Sequence, residues 1–239
     1  MRNKILTLSI LFSSWALGAG GSKPKDPNFK TVYVPGGICG DGSPFKIHIR
    51  EGNPRKFAFH LQGGGACWDS NTCYGPIPFT HLDQKPNLKD DPLYSGQVGH
   101  TLEDYTYVYI PYCTGDIYIG SHEANYSGRR PKHLGRINME FTFDWLRQKT
   151  ELSQAETSVL YGESAGAIGA LLNADLVEEN VPEDAERYLI ADSPGLHFNA
   201  NIWERFSPAY IQDISNGMAR NGLRFKANNG DIAQDMPSF

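Results

Sequence analysis

Residues 157–176 read TSVLYGESAGAIGALLNADL. The stretch opens as a short apolar run, Thr157 to Tyr161, that reads as a buried strand. It turns through Gly162-Glu163-Ser164-Ala165-Gly166 and leaves through small residues expected to be helical from Ala165 to Leu176. A strand that turns sharply into a helix lifts the central serine hydroxyl to the edge of a sheet. Small residues at 162 and 166 permit the close backbone packing such a turn needs. The serine then stands at a helix N-terminus, where the helix dipole favours developing negative charge. A bare G-x-S-x-G is a weak signal, and the flanking strand and helix give it weight.

Further upstream, the compact run Phe57 to Leu61 is followed by Gly63-Gly64-Gly65. A glycine run after a strand lets backbone N–H groups approach a reacting carbonyl without a Cβ in the way. Gly64 and Gly65 are the expected donors from this loop, and Ala165 the expected donor after the serine. His60 reads as a structural strand residue. Strand-like runs also cover Thr31 to Val34, Phe45 to Arg50, Tyr105 to Ile110 and Arg187 to Ala191, with Gly and Pro between them. His133 to Lys149 reads as a helix with Leu134, Ile137, Phe141 and Trp145 on one face. The latter half alternates strand, helix, strand, so the expected class is α/β, with a mostly parallel sheet flanked by helices. Residues 80–100 read as a long polar surface loop and Ser22 to Asn28 as a linker.

With 239 residues, a net charge of -5, 40% hydrophobic and 21% charged residues, the chain reads as one folded domain with no basic face for nucleic acid. Arg2 and Lys4, the apolar run Ile5 to Leu17 and the small residues Gly18 to Ser22 have the layout of a secretory signal peptide. The run is shorter than the ~20 residues a membrane span needs. Residues 1–20 are therefore expected to be removed, leaving 21–239 as a single secreted or periplasmic domain with no membrane association. An oxidising compartment suits disulfides. The four cysteines, Cys39, Cys67, Cys73 and Cys113, allow three full pairings. Cys67 and Cys73 can close a short loop, which would leave Cys39 with Cys113. Their spacing fits no usual zinc pattern, and neither a metal nor a cofactor is expected.

Taken in order, several stretches resemble the pectin acetylesterase family, which also includes Notum-type carboxylesterases. They are His60-Leu-Gln-Gly-Gly-Gly-Ala-Cys-Trp68 with Cys73, and Val108-Tyr-Ile-Pro-Tyr-Cys-Thr-Gly-Asp116. The others are the helix holding Gly135-Arg136-Ile137-Asn138, then Gly162 to Ala167 with Leu171 to Asp175, and Ala191-Asp192-Ser193. The resemblance runs from about Cys39 to about Phe198 and is nearest to bacterial members. It implies an α/β-hydrolase fold and metal-independent hydrolysis of esters, typically acetyl groups on pectin. It also implies Ser164 as nucleophile, Gly64, Gly65 and Ala165 as oxyanion donors, and the pairings Cys67–Cys73 and Cys39–Cys113.

The family pattern places its catalytic Asp and His well downstream of the serine, after two further strands. Here the sequence after Ser164 is short and holds a single histidine, His197. The domain is therefore expected to be C-terminally incomplete in this sequence. The base is expected from residues beyond this sequence; His197 comes too early for the family's base and reads as a surface or packing histidine, which leaves it only as the in-chain alternative, and Asp213, Asp231 and Asp235 are generic candidates for a third member. Asp192 reads as structural. Asp116 reads as a turn residue bonding backbone amides, Trp68 and Tyr112 as core aromatics, and His133 as a cap or packing group. The expected function is a secreted serine carboxylic ester hydrolase acting on an acylated small molecule or polysaccharide through an acyl-enzyme. Its rivals are a catalytically impaired relative that binds glycan or a partner, and another serine hydrolase such as a lipase or peptidase.

Overall fold

A computed structural model describes residues 6–7, 29–75, 102–194 and 202–223. In chain order the strands and helices are β1 (Leu6–Thr7), β2 (Lys30–Ile38), β3 (Pro44–Arg50), β4 (Asn53–Leu61), α1 (Ser70–Tyr74), β5 (Tyr105–Ile110), β6 (His122–Glu123) and β7 (Lys132–His133). They continue with α2 (Gly135–Lys149), β8 (Thr157–Glu163), α3 (Ala165–Leu172), α4 (Ala174–Asn180), β9 (Glu186–Asp192) and α5 (Pro208–Arg220). Seven strands form one sheet in the order β1-β9-β8-β4-β5-β3-β2. From β1 to β5 every neighbouring pair is parallel, and β3 and β2 add an antiparallel edge. This is the mostly parallel, helix-flanked α/β-hydrolase-like sheet that the sequence implies. β6 and β7 form a separate small ribbon.

Strand periodicity divides the core in two. Phe57, Phe59 and Leu61 of β4, with Val108 and Ile110 of β5 and Leu160 of β8, point toward the helices. There they meet Met139, Phe143 and Leu146 of α2, spaced i, i+4, i+7. Full burial of side chains of this size stabilises by roughly 2–3 kcal/mol each. The intervening residues Ala58, Tyr107, Tyr109, Val159 and Tyr161 line the opposite face.

Three sequence expectations need correction. Helix α2 begins at Gly135, because His133 is held in β7. Its most buried stripe is Gly135, Arg136, Asn138, Met139, Thr142, Phe143 and Leu146, not the stripe through Ile137, Phe141 and Trp145. Polar residues can occupy that stripe because they are satisfied: Asn138 exchanges two hydrogen bonds with the Ile38 backbone, at 2.9 Å each, and Arg136 pairs with Asp175. The single helix expected from Ala165 to Leu176 is broken at Asn173. The Asn173 amide donates to the Gly169 and Tyr118 carbonyls and its oxygen accepts from Arg136, which fixes the corner between α3 and α4.

The cysteines pair as Cys39–Cys113 and Cys67–Cys73. Among the described residues no helix is long and apolar enough to cross a membrane. Apart from Leu6–Thr7, the residues read as a signal peptide lie outside the described residues, as do the linker and the 80–100 loop.

Candidate active site

Ser164 joins the carboxyl end of β8 to the first turn of α3. Its φ is 53° and its ψ is -117°, so a residue with a Cβ holds a left-sided backbone conformation. Such a conformation costs on the order of 1–3 kcal/mol and persists only where the surroundings impose it. The surroundings here are two glycines. A Cβ on Gly162 would lie 2.4 Å from the Gly166 carbonyl, and one on Gly166 would lie 2.0 Å from the Leu61 carbonyl oxygen. The Ser164 amide donates to the Asp192 carbonyl at 2.9 Å, tying the turn to β9. Asp192 thus acts through its backbone, and its carboxylate accepts from the Ser193 hydroxyl. Ser164 itself is exposed to solvent.

The loop after β4 runs against this turn. A Cβ on Gly63 would stand 2.7 Å from the Glu163 carbonyl oxygen. The loop is fixed on both sides: Tyr118 Oη donates to Gln62 O at 2.8 Å, the Gly63 amide donates to Glu163 Oε1 at 2.7 Å, and the Cys67 amide donates to Gly115 O at 2.7 Å. Gly65, at φ 75°, makes a bend that a side chain would disfavour. Among the described residues no acceptor engages the amides of Gly64, Gly65 or Ala165. Beyond the loop, the Cys67–Cys73 disulfide and the Asp69–Thr72 capping box of α1 keep the chain from straying.

Asp116, fully buried, accepts from the Thr114 hydroxyl and from the Tyr118 and Gly135 amides, as a turn-holding carboxylate should. Tyr112 is also buried, and burial pushes its phenol and that of Tyr118 well above the usual range. Trp68 stacks obliquely on Phe206 at 5.2 Å.

Asp213, offered by the sequence only generically, lies on α5. It accepts from the Ser121 amide and hydroxyl, and His122 Nδ1 sits 2.6 Å from its Oδ2. Burial opposes its ionised form, but the bonds from His122 and Ser121 prevail and keep its carboxyl below the usual range. Its oxygens are committed to the turn before β6. His197, Asp231 and Asp235 lie outside the described residues.

His133 is buried, with Nδ1 on the Thr114 carbonyl and Nε2 against the Tyr126 hydroxyl. Cys67, Cys73 and His133 bring their ligand atoms within 4.8 Å of one another, but the two sulfurs are joined to each other and leave only one nitrogen to a metal.

Sequence reasoning passed over Glu163. Its carboxylate reaches both Gly63 N and His60 Nε2, the latter at 2.8 Å. The available signal was strand alternation, which puts Glu163 on the same face as Tyr161.

The profile of the family described as pectinacetylesterase matches residues 28–207. The chain is 28% identical to a palmitoleoyl-protein carboxylesterase NOTUM of Schmidtea mediterranea, over 73% of this chain and 34% of that protein. It is 26% identical to pectin acetylesterase 11 of Arabidopsis thaliana, over 69% of this chain and 44% of that protein. A third relative, the palmitoleoyl-protein carboxylesterase NOTUM of Homo sapiens, is 28% identical over 60% of this chain and 30% of its own length. The chain thus spans less than half the length of the curated relatives it matches. With most of its length covered by the family profile, and with the serine turn and the glycine loop inside the matched span, this chain belongs to the pectinacetylesterase family.

Proposed function

We propose that this chain belongs to a secreted carboxylic ester hydrolase that removes acetyl groups from a polysaccharide such as pectin, with Ser164 as nucleophile. The observation that carries the reading is the Ser164 backbone at φ 53°, wedged between two glycines that admit no side chain. Backbone strain clusters at active sites, and a tight strand-to-helix turn of this kind is what holds a nucleophilic serine hydroxyl clear of a sheet.

In this mechanism Ser164 Oγ attacks the ester carbonyl and its proton passes to an imidazole. The carbonyl oxygen becomes an oxyanion held by the amides of Gly64, Gly65 and Ala165. As it collapses, the C–O bond to the sugar breaks and the imidazole returns the proton to the leaving alkoxide. Water, deprotonated by the same imidazole, then attacks the acyl-serine and releases acetate. His197 is the in-chain candidate for this base. Export rests on the signal-peptide pattern of residues 1–20 and fits two disulfides.

The relatives' names point to two acyl classes, acetyl and palmitoleoyl. The test is hydrolysis of p-nitrophenyl acetate and of a long-chain p-nitrophenyl ester by the chain and by its Ser164→Ala variant. Acetyl ester turnover that vanishes in the variant supports the reading. Preference for the long-chain ester moves the substrate class to lipid acyl groups. Turnover that survives in Ser164→Ala rejects Ser164 as nucleophile.

A further inference from the structure

Glu163 precedes the proposed nucleophile in the chain, and its side chain bridges the two halves of the site. Its Oε1 accepts the Gly63 N–H at 2.7 Å, and its Oε2 lies 2.8 Å from His60 Nε2. A carboxylate accepts on both oxygens, so a neutral imidazole facing it would present its Nε2–H. His60 Nδ1 lies 2.7 Å from the Tyr107 hydroxyl. The Tyr161 hydroxyl lies 3.0 Å from the same nitrogen and in contact with the Tyr107 hydroxyl. The imidazole stacks on the Tyr161 ring at 4.3 Å and meets Tyr109 edge-on at 4.9 Å. A charge-assisted bond to a backbone amide is among the stronger hydrogen bonds, and this one is oriented by a histidine that is itself held by two tyrosines.

The serine turn hangs from β8 and the glycine loop from β4. Leu61 pairs with Gly162 across these strands, but the paired strands end there. Beyond that point Glu163 supplies the side-chain tie between turn and loop, and it fixes the amide one residue before Gly64.

Resting on the ester hydrolase reading above, we propose that Glu163 is a positioning residue. Together with His60 it sets the glycine loop so that the Gly64 and Gly65 amides aim at the oxyanion formed on Ser164. Glu163 does not touch the substrate in this arrangement. Its effect passes through Gly63, and that separates it from a proton-transferring carboxylate.

The experiment follows phosphonylation by a fluorophosphonate probe in the full chain and in Glu163→Ala, Glu163→Gln and Ser164→Ala. The Gly63 amide and His60 ring nitrogens are observed by NMR in the same proteins. Probe attack builds negative charge on an oxygen in the same donors, and outright loss of one such donor costs ~10²–10³ in rate. Displacement of the loop is expected to cost on the order of 10- to 100-fold in the saturated labelling rate of Glu163→Ala, with half-saturation little changed. Glu163→Gln keeps an acceptor for Gly63 and is expected to recover most of that loss. The Gly63 amide proton should move upfield in Glu163→Ala and stay near its parent position in Glu163→Gln. His60 should lose its fixed Nε2–H tautomer in Glu163→Ala. A folded Glu163→Ala protein with the parent's labelling rate and Gly63 shift overturns the proposal. A moved Gly63 shift with an unchanged rate also overturns it, because the tie would then be structural only. A parent whose label maps to a residue other than Ser164 overturns the hydrolase reading, and with it the catalytic sense of this tie.

Discussion

The α-carbon of Gly166 approaches Leu61 so closely that a methyl group there would sit 2.0 Å from the Leu61 carbonyl oxygen. The first turn of α3 is therefore seated directly on the end of β4, from which the glycine loop departs. This contact joins the two segments that the proposed mechanism needs side by side, and it does so with backbone alone. Gly162 plays the matching part beneath the turn, 2.4 Å from the Gly166 carbonyl by the same measure.

It follows that Gly166→Ala and Gly162→Ala should each lose about 3 kcal/mol or more of stability, at or beyond the upper end of ordinary overpacking, because the obstacle is main chain that cannot rotate aside. Gly128 is the contrast. It has φ 87° and nothing within 4 Å of an added Cβ, so Gly128→Ala should cost only about 1–2 kcal/mol for its left-handed backbone. Urea denaturation of the three variants checks the order. Equal losses at 128 and 166 would mean that the turn tolerates a side chain.

Why the serine turn could be read from sequence is now clear in physical terms. Its signature lies in residues that are neighbours in the chain, a strand period, two glycines four apart and a helix of small residues, although the contacts that demand it reach Leu61 and Asp192. The glycine loop was legible for the same reason. Ties across the sheet were not. Glu163 meets His60 from 103 residues away, and Asp213 meets His122 across 91. Helical period alone could not rank the two stripes of α2, since what permits Arg136 to be buried is Asp175 on another helix. Asn173 ended α3 through bonds that reach back to Tyr118.

That Arg136–Asp175 pair makes a second prediction. Arg136 reaches the Asp175 carboxylate with two nitrogens, at 2.9 and 2.7 Å, and the side chains are only 6% and 8% exposed. Removing Asp175 takes away the two-nitrogen partner of Arg136 and leaves the guanidinium only the half-exposed Glu140, at 2.8 Å, and the Asn173 oxygen, so the loss should fall near the low end of the range for broken buried pairs, about 3 kcal/mol. Asp175→Ala should show a loss of that size by chemical denaturation. The double variant Arg136→Met with Asp175→Leu should lose much less than the sum of its single variants. Additive losses would show that the pair is not the unit holding α2 to α4.

The disulfides should differ in effect. Cys39–Cys113 closes a sequence separation of 74 residues and Cys67–Cys73 one of 6. On loop-closure entropy their removal should cost about 4 and about 2 kcal/mol respectively. Cys67, however, is the residue whose amide anchors the glycine loop to Gly115. Serine replacement of Cys67 and Cys73 should therefore slow fluorophosphonate labelling more than replacement of Cys39 and Cys113, although it destabilises less. The two orders are read from thermal melts and from labelling rates, and a shared order would undo the distinction.

Burial pushes the His133 imidazole below its ordinary pKa, and the neighbouring Asp116 charge and the Thr114 carbonyl only partly offset this. The folded protein therefore keeps His133 neutral at pH values where the unfolded chain, titrating near 6.5, has already taken a proton. In that window the unfolded state binds more protons, so stability rises with pH, by at most about 1.4 kcal/mol per unit from this one group. On acidification the loss begins as pH falls through about 6.5 and stops once folded His133 is itself protonated. Asp213 acts lower down. Its depressed carboxyl contributes stability that is present above about pH 4, its unfolded value, and is lost as pH falls through its folded value. Urea denaturation at steps between pH 7.5 and 4.5 separates the two. The parent should lose stability through this range, and His133→Gln, although less stable at neutral pH, should show a shallower slope. Parallel slopes in the two proteins would mean that folded His133 titrates as it does in the unfolded chain.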